Sequence, residues 1–263
     1  MIRLDNVTKT LSGRKILSEL SLSVEEGETL VLLGRSGTGK SVTLRHIVGL
    51  MQPDHGKVEV LGKDVSSQNP SILTEVRKKV GYLFQDGALL NWLTVKENVA
   101  LPLIETLGVS ANEIEERVQR VLREVELDSH GDKFPGEISG GMRKRAGLAR
   151  ALVCDPQVVL HDEPTSGLDP ISSSIINQLV NQLKSTGITQ VLVTHDMNSA
   201  FEVADRIAML HEGKIQALGT VDEIRNSKNP AVRQFLEGEV TGPLTHGTLD
   251  GGSDAAEDRN EVS

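Results

Sequence analysis

Two stretches of this chain carry residues that suit phosphate chemistry. Residues 34–41 read Gly-Arg-Ser-Gly-Thr-Gly-Lys-Ser. Glycines at 34, 37 and 39 let a backbone curl until several N–H groups face one point, which is how a loop cradles phosphate oxygens. Arg35, Ser36 and Thr38 fill the loop between them. Lys40 is placed to reach β- and γ-phosphates, and the Ser41 hydroxyl to ligate Mg²⁺. A helix beginning near Lys40 adds the positive end of its dipole. The second stretch is Val-Val-Leu-His-Asp-Glu at 158–163. It reads as a buried strand ending in two carboxylates. Asp162 is placed to hold Mg²⁺ through water, and Glu163 to orient or deprotonate an attacking water. Paired acids after a strand also open ordinary helices. The phosphate loop upstream is what favours the chemical reading here.

These residues need strands and helices to hold them. Leu30-Val31-Leu32-Leu33 is an apolar run suited to a buried strand ahead of Gly34. Residues 1–85 read as short strands and turns, 86–154 as mostly helical, and 155–238 as alternating strand and helix. Over 113–127 the apolar residues Ile114, Val118, Val121, Leu122 and Val125 share one helical face. Apolar runs at 158–160 and 191–193 bracket an amphipathic stretch at 171–184. This pattern predicts an α/β fold with a parallel sheet, interrupted by a helical insertion.

Composition narrows the class. The chain has 263 residues, 38% hydrophobic and 25% charged, which is enough for one large domain or two lobes. No apolar run reaches the roughly 18 residues that span a bilayer, and Met-Ile-Arg-Leu-Asp-Asn is not a signal-peptide start. Cys154 is the one cysteine, so an internal disulfide is excluded, which fits a reducing cytosol. The net charge of −9 argues against non-specific nucleic-acid binding. Residues 239–263 hold six acids against one base, Arg259, and from about 244 they read as disordered.

The order of the motifs resembles the ATP-binding subunit of ABC transporters over essentially all of 1–238. Gln85, after Val80-Gly81-Tyr82-Leu83-Phe84, resembles the Q-loop glutamine, which in the family touches Mg²⁺ and the water. Ser139-Gly140-Gly141 resembles the family signature, which opens a helix with bare N–H groups and a hydroxyl for a phosphate held by the other subunit. Asp169, in Ser166-Gly167-Leu168-Asp169, resembles the D-loop. His195, after Val191-Leu192-Val193-Thr194, resembles the H-loop histidine that contacts the γ-phosphate. The resemblance implies ATP and Mg²⁺ as cofactors, a homodimer and ATP hydrolysis coupled to transport. It also implies a P-loop NTPase fold with three parts. These are a RecA-like core (1–85 and 155–238), an antiparallel β subdomain within its N-terminal part, and an inserted helical subdomain (86–154). The acidic extension 239–263 follows.

Three departures matter. Leu11 stands where the family usually carries an aromatic residue that stacks on adenine, and no aromatic lies within the first 81 residues. Weaker, less base-selective nucleotide binding is therefore expected, offset by contact from Leu11 or Arg14. Val42 replaces a common second hydroxyl. Met142 replaces the usual glutamine of the signature, and Arg143-Lys144-Arg145-Ala146-Gly147-Leu148-Ala149-Arg150 follows it. That run is similar to the ATPases serving phospholipid transport with Mce-domain partners, the Mla-type systems. Phe84-Gln85-Asp86-Gly87-Ala88-Leu89-Leu90, Gly167-Leu168-Asp169-Pro170-Ile171 and Val232-Arg233-Gln234-Phe235-Leu236-Glu237-Gly238 are similar to the same branch. The branch implies a permease, Mce-domain and STAS-domain partners, and a peripheral place on the cytoplasmic face of the inner membrane. An ABC ATPase for another cargo and a non-transport ABC protein are the alternatives. The one tryptophan, Trp92, reads either as core of the helical lobe or as part of a groove at Gln85–Leu93 that receives a permease helix. His161 reads as a packed strand residue and Cys154 as a small core residue.

Overall fold

The computed structural model describes residues 1–106 and 108–245. The chain begins with β1 (Ile2–Leu11), β2 (Arg14–Val24), β3 (Thr29–Leu33), α1 (Lys40–Ile47), β4 (His55–Val60) and β5 (Lys63–Asp64). It continues through α2 (Pro70–Arg77), β6 (Val80–Leu83), α3 (Val95–Thr106), α4 (Ala111–Glu124) and α5 (Gly140–Leu152). Then come β7 (Val158–Asp162), α6 (Pro170–Ser185), β8 (Thr189–Thr194), α7 (Met197–Val203) and the hairpin β9 (Arg206–His211)–β10 (Lys214–Thr220). The short α8 (Val221–Arg225) and α9 (Pro230–Glu237) follow. Among the described residues no helix is long and apolar enough to cross a membrane.

One sheet is antiparallel, in the order β2-β1-β4-β5. Its first hairpin turns at Ser12-Gly13, both in the left-handed region (φ 48° and 77°), as a two-residue turn matched to strand twist requires. The second sheet runs β10-β9-β3-β8-β7-β6 and is parallel except for the β9–β10 hairpin. Strands β3, β7 and β8 are buried along their whole length, which is why they read as unbroken apolar runs. Their register aligns Leu33 with Thr194 and Asp162 with Val193. The carboxyl ends of all three strands therefore lie side by side, where ligand crevices form in open α/β sheets.

Between β6 and β7 the described chain is helical. The anticipated face of α4 is buried at Val118, Val121 and Leu122, and Val125 caps it from just beyond the helix. These side chains share a core with Val99 and Leu103 of α3 and Leu148 and Leu152 of α5. Cys154 packs at its edge, and burial pushes its thiol pKa up.

The C-terminal segment departs from expectation. Leu244 is 6% exposed and joins the core of Val31, Leu33, Met209 and Val232. Gln234, itself buried, explains the order. Its Oε1 accepts from the Leu244 N–H (2.7 Å), and its Nε2 donates to the Glu239 carbonyl (3.1 Å). Disorder was expected from about 244, but the chain is held through Thr245 by a polar clamp that composition does not reveal. The rest of that expectation, 246–263, lies outside the described residues.

Candidate nucleotide-binding and hydrolysis site

The glycine-rich loop leaves β3 and enters α1. Gly34 donates to the Thr194 carbonyl of β8 (3.3 Å), fixing the loop's start against the neighbouring strand. Gly39 has φ 107°, and a Cβ there would lie 2.8 Å from Leu17 Cδ2, so only glycine fits the last turn before the helix. No side chain caps α1, which leaves its first N–H groups free for an anion. Lys40 opens the helix and is 5% exposed. Its ammonium donates to the carbonyls of Gly34 (2.8 Å) and Arg35 (3.1 Å) and pairs with Glu163 Oε1 (3.1 Å).

The carboxylates meet this loop from β7. Asp162 Oδ1 accepts from the Ser41 hydroxyl (2.7 Å) and Oδ2 from the Tyr82 hydroxyl (3.1 Å). Two hard oxygens, Ser41 Oγ and Asp162 Oδ1, converge, which is a donor set that suits Mg²⁺. Burial and the adjoining Asp162 raise the Tyr82 pKa far above its usual value, so Tyr82 stays a donor. Glu163 sits just past β7 with φ 50°, a strained conformation for a non-glycine residue of the kind that collects at functional sites. Its N–H donates to the Val193 carbonyl (3.0 Å). Its Oε1 meets Lys40, and its Oε2 accepts from His195 Nδ1 at 2.8 Å. Lys40, Glu163 and His195 thus form one chain of contacts across three strand ends.

A cavity of about 630 Å³ opens beside the loop. It is lined by the loop residues Arg35, Ser36, Gly37 and Thr38, by Arg14, Ile16 and His195, and by Phe235 and Leu244 from the C-terminal segment. The Arg35 guanidinium donates to the Leu244 carbonyl (2.9 Å), so the C-terminal strap is tied to the loop itself.

Ser139, Gly140 and Gly141 stand elsewhere, at the start of α5. The Ser139 hydroxyl accepts from the Met142 N–H (3.2 Å) as a helix cap. None of the three lines the cavity. Asp169 caps α6, accepting from the N–H groups of Ile171 and Ser172 (3.0 Å each). Within one chain these residues do not meet the phosphate loop.

The ABC transporter family model matches residues 17–166. The chain belongs to the ABC transporter ATP-binding family. It is 42% identical to the "probable ribonucleotide transport ATP-binding protein mkl" of Mycobacterium tuberculosis, over 92% of this chain and 68% of that protein. It is 37% identical to the "intermembrane phospholipid transport system ATP-binding protein MlaF" of Escherichia coli K12, over 93% and 91%. A solved dimeric ATP-binding cassette, in a post-hydrolysis state bound to ADP and Pi, superposes with TM-score 0.79 at 35% identity, over 84% of this chain and 99% of that one. The protein is thus the ATP-hydrolysing subunit of an ABC transporter.

The remaining residues singled out in the sequence of this ABC ATPase take the following places. Leu11 does not line the cavity, and Arg14 does; the tight Ser12-Gly13 turn ends β1 at Leu11 and carries Arg14 to the site. Gln85 is exposed on the turn after β6 and makes no hydrogen bond to Ser41 or Asp162. Tyr82 occupies that side of Asp162, a residue whose sequence signal was only its place near the end of β6, beside β7. Trp92 is 73% exposed, so it is not core of the helical lobe. Val42 is half-buried in α1, and its carbonyl accepts from His46 Nδ1 (2.7 Å). His161 is fully buried and donates through Nε2 to Gln190 Oε1 (2.9 Å).

Proposed function

We propose that two copies of this chain bind two ATP–Mg²⁺ between them, each phosphate loop facing the Ser139-Gly140-Gly141 of the other copy. The observation that carries this reading is the Lys40–Glu163–His195 contact chain at the strand ends, next to Ser41 and Asp162. On nucleotide binding Lys40 leaves the Gly34 and Arg35 carbonyls for β- and γ-phosphate oxygens, which releases Glu163 Oε1. Glu163 then takes the proton of the attacking water, and His195 holds Glu163 and the γ-phosphate in line. Ser41 and Asp162, with Gln85 brought in from its turn, would hold Mg²⁺, which when bound neutralises charge on the phosphates. Asp169 extends towards the partner copy. Glu163→Gln should lower turnover by roughly 10²–10⁴, the usual worth of a general base, and trap an ATP-bound dimer. Near-normal hydrolysis in that variant would remove Glu163 from the role.

The cargo we infer is phospholipid, moved between membranes with a permease and Mce- and STAS-domain partners to maintain outer-membrane lipid asymmetry. Support comes from the similarity to MlaF over nearly the full length of both chains and from Met142 with its basic run. The permease docks at Gln85–Leu93, where Trp92 stands exposed, with exposed Phe84 just before it, on the cytoplasmic face of the inner membrane. A second reading keeps another cargo, because mkl at 42% and the methionine import protein MetN 2 of Pseudomonas entomophila at 40% are no less similar. Co-purification from detergent-solubilised membranes separates them: a permease with Mce or STAS subunits supports phospholipid, and a permease without them supports the other reading.

A further inference from the structure

Helix α5 buries a lysine. Lys144 follows the signature turn by one helical turn and is 5% exposed. It forms no ion pair among the described residues; its ammonium donates to the carbonyls of Glu163 (3.1 Å) and Ser166. An ammonium without a carboxylate partner is costly to bury, so its placement asks for a reason beyond packing. The turn it closes is the one that leaves the catalytic strand. The Ser166 N–H also donates to the Glu163 carbonyl (3.2 Å), and the Leu168 N–H to the Thr165 carbonyl (3.2 Å). Lys144 spans this turn from the carbonyl of Glu163 to that of Ser166, and Glu163 within it has left-handed backbone.

The same helix grips the turn after Gln85. Arg150 donates to the carbonyls of Gly87 (2.8 Å) and Ala88 (2.7 Å). A Cβ on Gly147 would lie 2.9 Å from Gly87 Cα, so helix and turn are in backbone contact. Helix α5 is therefore a strut with Ser139 at its tip, Lys144 on the Glu163 turn and Arg150 on the Gln85 turn.

We propose that Lys144 is a positioning residue for hydrolysis. It holds the Glu163 backbone and the 163–169 turn against the signature helix, so that a shift of α5 is carried to the Glu163 carboxylate. This rests on the reading that Glu163 promotes hydrolysis. The misplacement of a catalytic group by about 1 Å costs up to roughly a hundredfold, and the loss falls on turnover rather than on ground-state binding.

The test compares basal ATPase activity and ATP dissociation constants of the full chain with those of Lys144→Met, Lys144→Gln and Lys144→Arg, with Glu163→Gln as reference. Met keeps an unbranched apolar stem and has no donor; Gln keeps a donor but, one bond shorter than Lys, does not span both carbonyls; Arg keeps donors and charge. The expected result is a loss of at least about tenfold in kcat for Met and Gln, an ATP dissociation constant within about twofold of wild type, and recovery to within about threefold by Arg. If Met does not fold, Gln carries the comparison. Wild-type-like kcat in Met or Gln, or a loss of ATP affinity as large as the loss of turnover, overturns the proposal. A wild-type chain without activity, or an active Glu163→Gln, overturns instead the hydrolysis reading beneath it.

Discussion

His161 makes the stability of this protein depend on pH in a way that can be worked out in advance. The ring is fully buried in β7, and desolvation lowers its pKa from 6.5 to about 4, outweighing the opposing effect of the Gln190 hydrogen bond. The folded state therefore holds the imidazole neutral where the unfolded chain would protonate it. The folded value is depressed, so the unfolded state binds the extra proton below pH 6.5 and stability falls as pH falls. At about 1.4 kcal/mol per pH unit, the gap between 6.5 and about 4 costs roughly 3 kcal/mol by pH 4. That is a large part of the roughly 5–15 kcal/mol that holds a domain folded. His161→Leu keeps the volume and removes the titration. It leaves Gln190 Oε1 without its donor, a cost of about 1–3 kcal/mol that is independent of pH. Urea unfolding of wild type and variant between pH 7 and pH 4, without nucleotide or Mg²⁺, measures both effects. The variant should be less stable at pH 7 and should lose stability more slowly on acidification, so that the two curves approach or cross. Parallel curves over that interval would refute the assignment of the proton-linked loss to His161.

Other consequences can be checked separately. Leu244→Asp places a charge in the core formed with Val232 and Met209. It should undock the strap and speed hydrogen exchange at Leu244 and Thr245 well before the sheet exchanges; unchanged protection would contradict the clamp built on Gln234. Arg14→Ala should weaken ATP binding severalfold, while Leu11→Ala should leave the dissociation constant within about twofold, since only Arg14 lines the cavity. The reverse order in an equilibrium titration would restore Leu11 to the site. Trp92→Ala should change stability by no more than about 0.5 kcal/mol, as exposed positions do, yet lower ATPase stimulation by the permease in a reconstituted complex.

What the sequence disclosed, and what it hid, follows from how far each interaction reaches along the chain. The parallel sheet was legible because β3, β7 and β8 are buried on both faces and must be continuously apolar. The phosphate loop was legible because its chemistry depends on neighbours in sequence: Gly39 must adopt φ 107° one residue before Lys40. Features made by residues far apart were not. The Tyr82 hydroxyl reaches Asp162 across eighty positions, and nothing near Tyr82 marks it as a partner of an acid. Arg35 reaches Leu244 across more than two hundred. An acidic, glycine-containing tail reads as unstructured by composition, because composition does not register one glutamine positioned to bond both ends of a strap. Leu11 shows the same limit from the other side. Its position relative to Gly34 suggested a base contact, but the turn at Ser12-Gly13 decides which side of the hairpin faces the cavity, and it presents Arg14. Phe235 and Leu244 line the same cavity as Arg14. A site that lacks an aromatic residue in its first eighty positions is thus bounded by apolar residues from the far end of the chain.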